Sequence, residues 1–216
     1  MTEEIPVQST ETEIIISIND KEQTKTNENI KESIFKNSKT KLDLFDKKIS
    51  KKIHNLELNT ILENIIYIFA RLFNADIITI FYISLLLYQS FFNKNYYYII
   101  KPVIHVIVVF ILTGLLKYSF KRPRPEINKN VKRIYNIRKK ENNFAMPSGD
   151  SMQAANFAVI TLFYFNLSFC GFFLLPFVMF ARIFYFCHYF FDTLIGALVG
   201  GGVSLGLVFP LKFLKL

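Results

Sequence analysis

Residues 103–116 read VIHVIVVFILTGLL, an apolar run too long and too uniform for the core helix of a soluble protein. With its flanks it predicts a membrane span from residue 96 to residue 116, close to the ~20 residues that cross a bilayer. Four further spans are predicted at residues 77–92, 149–166, 169–186 and 191–211. Together with an apolar content of 51%, these runs predict an all-α integral membrane protein.

A sixth helix is predicted from Leu56 to Phe73, where the apolar residues share one broad face. Glu63 and Arg71 fall outside that face, and such charges are unfavourable in a membrane span. The segment could span the bilayer weakly or lie in its interface. We therefore expect a bundle of about six transmembrane helices, made of five strong spans and a weak or interfacial first helix.

The N-terminal region differs sharply from these helices. Residues 1–54 are rich in Lys, Asn, Glu, Thr and Ser and carry no recognisable motif. Such a composition is typical of disorder. The sequence therefore predicts a disordered polar tail at residues 1–54 and a membrane domain at residues 55–216.

Most of the net charge lies in one loop. Residues 117–146 hold ten Lys and Arg residues against Glu126 and Glu141, so this loop carries +8 of the chain's net charge of +9. A solvated loop on the cytoplasmic side of a membrane is commonly basic. A cluster of cations is also typical of a phosphate-binding site.

Three polar stretches are expected to meet at one membrane face, because helices 149–166 and 169–186 form a hairpin that leaves and returns on the same side. The stretches are KYSFKRPRP (117–125), PSGD (147–150) and RIFYFCHYFFD (182–192). In the first, prolines on both sides of Arg124 fix the backbone and aim the guanidinium. In the second, Ser148 and Gly149 are predicted to present free backbone N–H groups at a helix N-terminus, which favours an anion.

The third stretch carries a histidine and an aspartate four residues apart. On a helix, His188 and Asp192 would share a face and could form a hydrogen bond. A carboxylate on one imidazole nitrogen fixes the tautomer and leaves the other nitrogen available as a nucleophile or a base. Arg182 adds a further donor for phosphate oxygens.

In their order and spacing these stretches resemble the type 2 phosphatidic acid phosphatase (PAP2) superfamily, over roughly residues 56–216. The matching elements are Lys117-x6-Arg124-Pro125, Pro147-Ser148-Gly149 and Arg182-x5-His188-x3-Asp192. Only this register fits the first element, since Arg122 would need a lysine where Leu115 stands. Members of the superfamily are membrane enzymes that remove phosphate from lipid phosphates and diphosphates.

The resemblance implies a role for each matched residue. The residues expected to bind the phosphate oxygens are Lys117, Arg124, Ser148, Gly149 and Arg182. His188 would attack phosphorus and become a phosphohistidine, and Asp192 would orient it. The expected partner is a lipid phosphate or diphosphate in a membrane, with no nucleic acid, no metal and no other cofactor.

Asp150 departs from the family pattern, in which a histidine protonates the leaving oxygen. A diphosphate substrate needs this acid less, because its leaving group is a phosphate monoester with a second pKa of about 6. As a candidate catalytic residue, Asp150 is therefore expected to bias the protein toward diphosphates such as isoprenyl diphosphates.

Two alternative functions stay open at this point. The chain could be a catalytically silent relative that binds lipid phosphate or acts as a membrane scaffold. It could also be a head-group transferase resembling the sphingomyelin synthases, which share the pattern His188-Tyr189-x2-Asp192, although the lysine–arginine element favours a phosphatase. The expected location is the endoplasmic reticulum or another internal membrane. The site would face the lumen if the first helix spans the bilayer, and the cytosol if that helix lies in the interface.

Overall fold

The computed structural model describes residues 40–92, 97–138, 143–164 and 170–213. Within these ranges all regular secondary structure is helical. The helices are α1 (40–54), α2 (Thr60–Leu72), α3 (Ala75–Phe92), α4 (Tyr97–Phe120), α5 (Gly149–Tyr164), α6 (Cys170–Phe184) and α7 (Phe190–Phe213). The predicted all-α class is therefore confirmed for the described residues.

Two helices in the described part of the chain are long and apolar enough to cross a bilayer. The segments are Ile100–Phe120 in α4 and Phe190–Leu211 in α7. At 1.5 Å per residue each is about 30 Å long, which matches the hydrocarbon core. α2 has 13 residues and extends only about 20 Å, so it does not cross that core by itself. The count of six transmembrane helices stays a prediction.

Residues 40–54 are helical rather than disordered, which corrects the predicted boundary of the polar tail. Asp46, Ser50 and His54 follow one another at intervals of four along α1 and form a buried stripe. The stripe gives the helix a face that can be buried. The many lysines around it make the composition of the segment resemble a disordered region, so composition alone does not predict the helix. Residues 1–39 of the predicted tail lie outside the described residues. Residues 46–216 form one compact unit.

α5 packs against α7 at backbone level. A Cβ at Gly196 would lie 2.6 Å from the carbonyl oxygen of Ser148, and a Cβ at Gly200 would overlap the backbone of Met152. These positions leave no room for a side chain, so the glycines allow the two helices to touch. The contact fixes the start of α5 beside the start of α7.

Candidate active site

A polar cavity of about 470 Å³ opens where the ends of α4, α5 and α6 meet the segment that precedes α7. Six of the predicted site residues line it: Lys117, Arg124, Gly149, Asp150, Arg182 and His188. The three polar stretches of the sequence therefore converge on one cavity. α3 also contributes to the lining, through Asp76, which sequence reasoning did not select.

His188 is 1% exposed and lies in the segment between α6 and α7. Its Nδ1 is 2.7 Å from the carbonyl oxygen of Ala145, which can only accept, so Nδ1 carries the proton. The lone pair is then on Nε2, which lies 3.4 Å from Nη1 of Arg124. Burial, followed by the charges of Arg124, Arg182 and Lys117, holds the pKa of His188 well below its ordinary value of 6.5. The imidazole is therefore neutral, with its unprotonated nitrogen beside a cation.

Asp192 does not orient His188 directly, which corrects the predicted hydrogen bond. Its Oδ2 is 4.0 Å from Nδ1 of His188 and instead accepts a hydrogen bond from the backbone of Tyr189 at 2.8 Å. Its Oδ1 accepts from Arg122 at 2.7 Å. The prediction assumed a continuous helix, but α7 begins at Phe190, so His188 lies outside it.

Arg124 and Lys117 are held by the segment that leads into α5. Arg124 donates from Nε to the carbonyl of Asn143 at 2.8 Å and from Nη1 to the carbonyl of Cys187 at 2.6 Å. Lys117 donates to the carbonyl of Phe144 at 2.9 Å and to the side-chain oxygen of Asn143 at 3.2 Å. Asn143 therefore joins both cations. Sequence reasoning missed it, because one asparagine in a long basic loop gives no signal of its own.

Asp150 forms an ion pair with Arg182 at the cavity wall, with 2.7 Å between Oδ2 and Nε. The side chains are 14% and 3% exposed, so the pair is largely shielded from water. With its nitrogen turned toward Asp150, the amide of Asn74 donates to the same Oδ2 at 3.1 Å and accepts from Arg71 at 2.9 Å. The guanidinium stabilises the carboxylate relative to the neutral acid. No sequence pattern indicates that Asn74, between α2 and α3, contacts this pair.

Ser148 is fully buried and its backbone N–H is already bonded, which corrects the prediction of a free amide there. The N–H donates to the carbonyl oxygen of Asp192 at 2.9 Å, and the hydroxyl bonds with that of Ser151 at 3.0 Å. Ser148 thus joins the start of α5 to the start of α7. Gly149 lines the cavity, where a Cβ would lie 3.1 Å from Cγ2 of Thr113.

The positive charge of the cavity comes from side chains. Lys117, Arg124 and Arg182 line it together. Such a set can bind the oxygens of a phosphate group and compensate its charge. Among the described residues, no group of three or more His, Cys, Asp or Glu side chains is arranged to hold a metal ion.

The helical fold therefore combines two helices long enough to cross a membrane with a cavity that three cations line beside a neutral histidine. The chain belongs to the PAP2 superfamily, whose family model matches residues 98–211.

Two crystal structures share this fold. The first transmembrane PAP2-type phosphatidylglycerolphosphate phosphatase from Bacillus subtilis is 21% identical, with a TM-score of 0.62 over 79% of this chain and 84% of that chain. LpxE from Aquifex aeolicus is also 21% identical, with a TM-score of 0.56 over 74% of this chain and 93% of that chain. At this identity the likeness establishes the fold. No curated protein matches the chain.

Proposed function

We propose that this protein is a membrane phosphatase that hydrolyses lipid phosphates or diphosphates in the cavity beside His188. One observation carries the proposal: the unprotonated Nε2 of His188 lies 3.4 Å from the guanidinium of Arg124, in a cavity that two further cations line. Membership of the PAP2 superfamily supports it, as does the fold shared with a phosphatidylglycerolphosphate phosphatase.

In the proposed reaction, Nε2 of His188 attacks phosphorus, and an N–P bond forms as the bond to the leaving oxygen breaks. The ring becomes positively charged, and the carbonyl of Ala145 at 2.7 Å and the carboxylate of Asp192 at 4.0 Å stabilise that charge. The cations hold the phosphoryl oxygens during transfer. Water then attacks the phosphohistidine, and the released phosphate leaves the imidazole neutral again. These steps need no metal ion.

Asp150 supports a preference for diphosphates. Its carboxylate is paired with Arg182 at 2.7 Å, so it is engaged by a cation and is not placed as the acid that protonates a leaving alkoxide. A lipid monophosphate that leaves from a diphosphate needs little protonation, because its second pKa is about 6. Isoprenyl diphosphates are therefore the proposed substrate class.

A second, apolar cavity supports a lipid substrate. It has a volume of about 190 Å³, and α3, α4, α5 and α6 contribute to it as they do to the polar cavity. The two linings are adjacent along these helices: Gln153 on α5 lies one turn after Asp150, and Val106 on α4 lies one turn before Phe110. An apolar cavity of roughly 150 Å³ can hold one benzene molecule, so this volume suits the first carbons of a hydrocarbon chain.

The decisive experiment measures phosphate release by the purified protein from an isoprenyl diphosphate, an isoprenyl monophosphate and phosphatidate. We expect His188→Ala to abolish release, whereas Lys129→Ala, a change of an exposed cation in the same basic loop, should leave it intact. Asp150→His should broaden the substrate range by supplying the missing acid. A wild-type preference for phosphatidate would rule out the diphosphate assignment.

The ion pair of Asp150 and Arg182 also favours a second candidate, a silent protein that binds lipid phosphate, because a carboxylate already occupies one phosphate donor. Wild-type protein that binds vesicles containing a lipid phosphate, yet releases no phosphate from any substrate, would establish this function instead. An internal membrane such as the endoplasmic reticulum is the proposed location, and membrane fractionation tests it.

A further inference from the structure

Side chains of α1 cap the first turn of α7. Oδ1 of Asp46 accepts a hydrogen bond from the backbone of Phe191 at 2.8 Å, and Oγ of Ser50 accepts one from the backbone of Phe190 at 2.8 Å. The first N–H groups of a helix have no partner within that helix, so these bonds satisfy donors that burial would otherwise leave unpaired. Asp46 and Ser50 are themselves fully buried. A separate helix therefore does what a local N-cap residue usually does.

His54, one turn after Ser50, supports the segment that carries His188. Its ring stacks on that of Phe186 with 4.5 Å between centroids, and it forms a hydrogen bond with the backbone of His188. Phe186 has a φ of 59°, the left-handed conformation that glycine usually adopts at the end of a helix. A larger residue keeps such a conformation only when its surroundings hold it there. The ring of His54 is part of those surroundings.

Arg122 links α1 to α7 through ion pairs. It bridges Asp46 and Asp192, with N–O distances of 2.6 and 2.7 Å, and both carboxylates are fully buried. Two buried carboxylates share one guanidinium, so removal of Arg122 leaves both of them without their cation.

Arg133 links the C-terminal end of α1 to the end of α6. It donates to the carbonyls of His54 and Leu56 at 2.7 Å each, where the helix ends. Its guanidinium also lies 3.6 Å from the ring centroid of Phe184, the last residue of α6. Both ends of the buried stripe on α1 are thus joined to the chain around His188.

We propose that α1 is a positioning element of the reaction centre, in which Asp46, Ser50 and His54 hold residues 185–192 so that Nε2 of His188 stays aimed at the bound phosphate. This inference rests on the function proposed above. The three residues do not belong to the described lining of the polar cavity, so they act through His188 and not through contact with substrate.

The test compares kcat and KM for phosphate release by the wild type, Asp46→Ala, Asp46→Glu and Lys51→Ala. Lys51 is exposed on the same helix, so its variant is the matched control. We expect Asp46→Ala to lower kcat about 10- to 100-fold while KM stays within about twofold, because the phosphate-binding side chains remain in place. Asp46→Glu can still pair with Arg122 and should recover most of the lost kcat. Lys51→Ala should match the wild type.

A folded Asp46→Ala protein with unchanged kcat overturns the proposal, as does an equal loss in Lys51→Ala. A rise in KM without a fall in kcat also overturns it, since the effect would then lie in substrate binding. If Asp46→Ala does not fold, Ser50→Ala takes its place under the same criterion, because it removes the hydrogen bond to the backbone of Phe190. The wild-type rate and the His188→Ala variant test the phosphatase function separately, so the two failures can be told apart.

Discussion

Arg122 and Arg124 stand on either side of Pro123, yet the structure uses them differently. Arg124 lines the polar cavity and lies 3.4 Å from Nε2 of His188. Arg122 instead bridges a carboxylate of α1 and Asp192. The two side chains carry the same charge, but Arg124 lines the cavity of the proposed reaction and Arg122 links α1 to the chain that carries His188. A strongly basic loop thus supplies both binding charge and structural ion pairs.

The largest expected effects come from removing each arginine in turn. Arg124→Ala should lower kcat/KM about 100- to 1,000-fold, because it removes a donor from the transferring phosphoryl group in a shielded site. Arg122→Ala should lower kcat about 10- to 100-fold and also lower the melting temperature, because it leaves two buried carboxylates unpaired. Steady-state kinetics and thermal unfolding of both variants in detergent provide the measurement.

If kcat, KM and the melting temperature change equally in the two variants, this division of roles is wrong. Lys129→Ala serves as the control, since it removes an exposed positive charge from the same loop.

A smaller effect is expected in the pH dependence of kcat/KM. The neutral form of His188 is the proposed nucleophile. Burial together with nearby cations lowers the pKa of His188, so activity should persist below pH 6.5 before it falls. Arg124 is one of those cations, so Arg124→Ala should move the acid limb to higher pH. Arg122→Ala should move the limb less, because Arg122 is not among the charges that lower the pKa of His188. Rate profiles between about pH 4 and pH 9 measure both, and identical shifts would refute the distinction.

The smallest expected effect is in the pH dependence of stability. It comes from His54 of α1, the helix that Arg122 contacts. The pKa of His54 is lowered from 6.5 to about 4, because burial and the charge of Arg133 outweigh a hydrogen bond to the backbone of His188. Between these pH values the unfolded chain binds more protons than the folded one. The contribution of neutral His54 to the free energy of unfolding is therefore fully present above pH 6.5. It is lost as the pH drops toward 4, by up to about 3 kcal/mol.

His54→Phe keeps an aromatic ring against Phe186 but cannot titrate. Its melting temperature should change less between pH 7 and pH 4.5 than that of the wild type. A Lys51→Ala variant that flattens the dependence equally would show that the pH effect has another origin.

The sequence was sufficient for the helical class and for the convergence of three distant stretches on one cavity. Long apolar runs predict helices directly, and the spacing of the PAP2 motif selects Arg124 over Arg122 from the sequence alone. The cavity does contain Arg124, and Arg122 is not part of its described lining.

The partners of these residues could not be predicted in the same way. The pairing of His188 with Asp192 assumed helical geometry, and helix ends depend on tertiary contacts that spacing does not encode. Ser148 was expected to offer its amide to a ligand, but Asp192, 44 residues away, accepts from it. The sequence does not reveal the stripe on α1, because three polar residues at intervals of four are also typical of a solvent-exposed helix face. Their burial depends on contacts with Phe186 and the start of α7, which are distant in sequence.

The backbone contact between α5 and α7 has a consequence for redesign. Gly196 admits no Cβ beside Ser148, so the junction of α5 and α7 cannot be altered one side chain at a time. α3 and α4 instead meet the cavity through side chains, among them Asp76 and Thr113. An engineer seeking a different head group would leave the glycine contact untouched and vary those two positions.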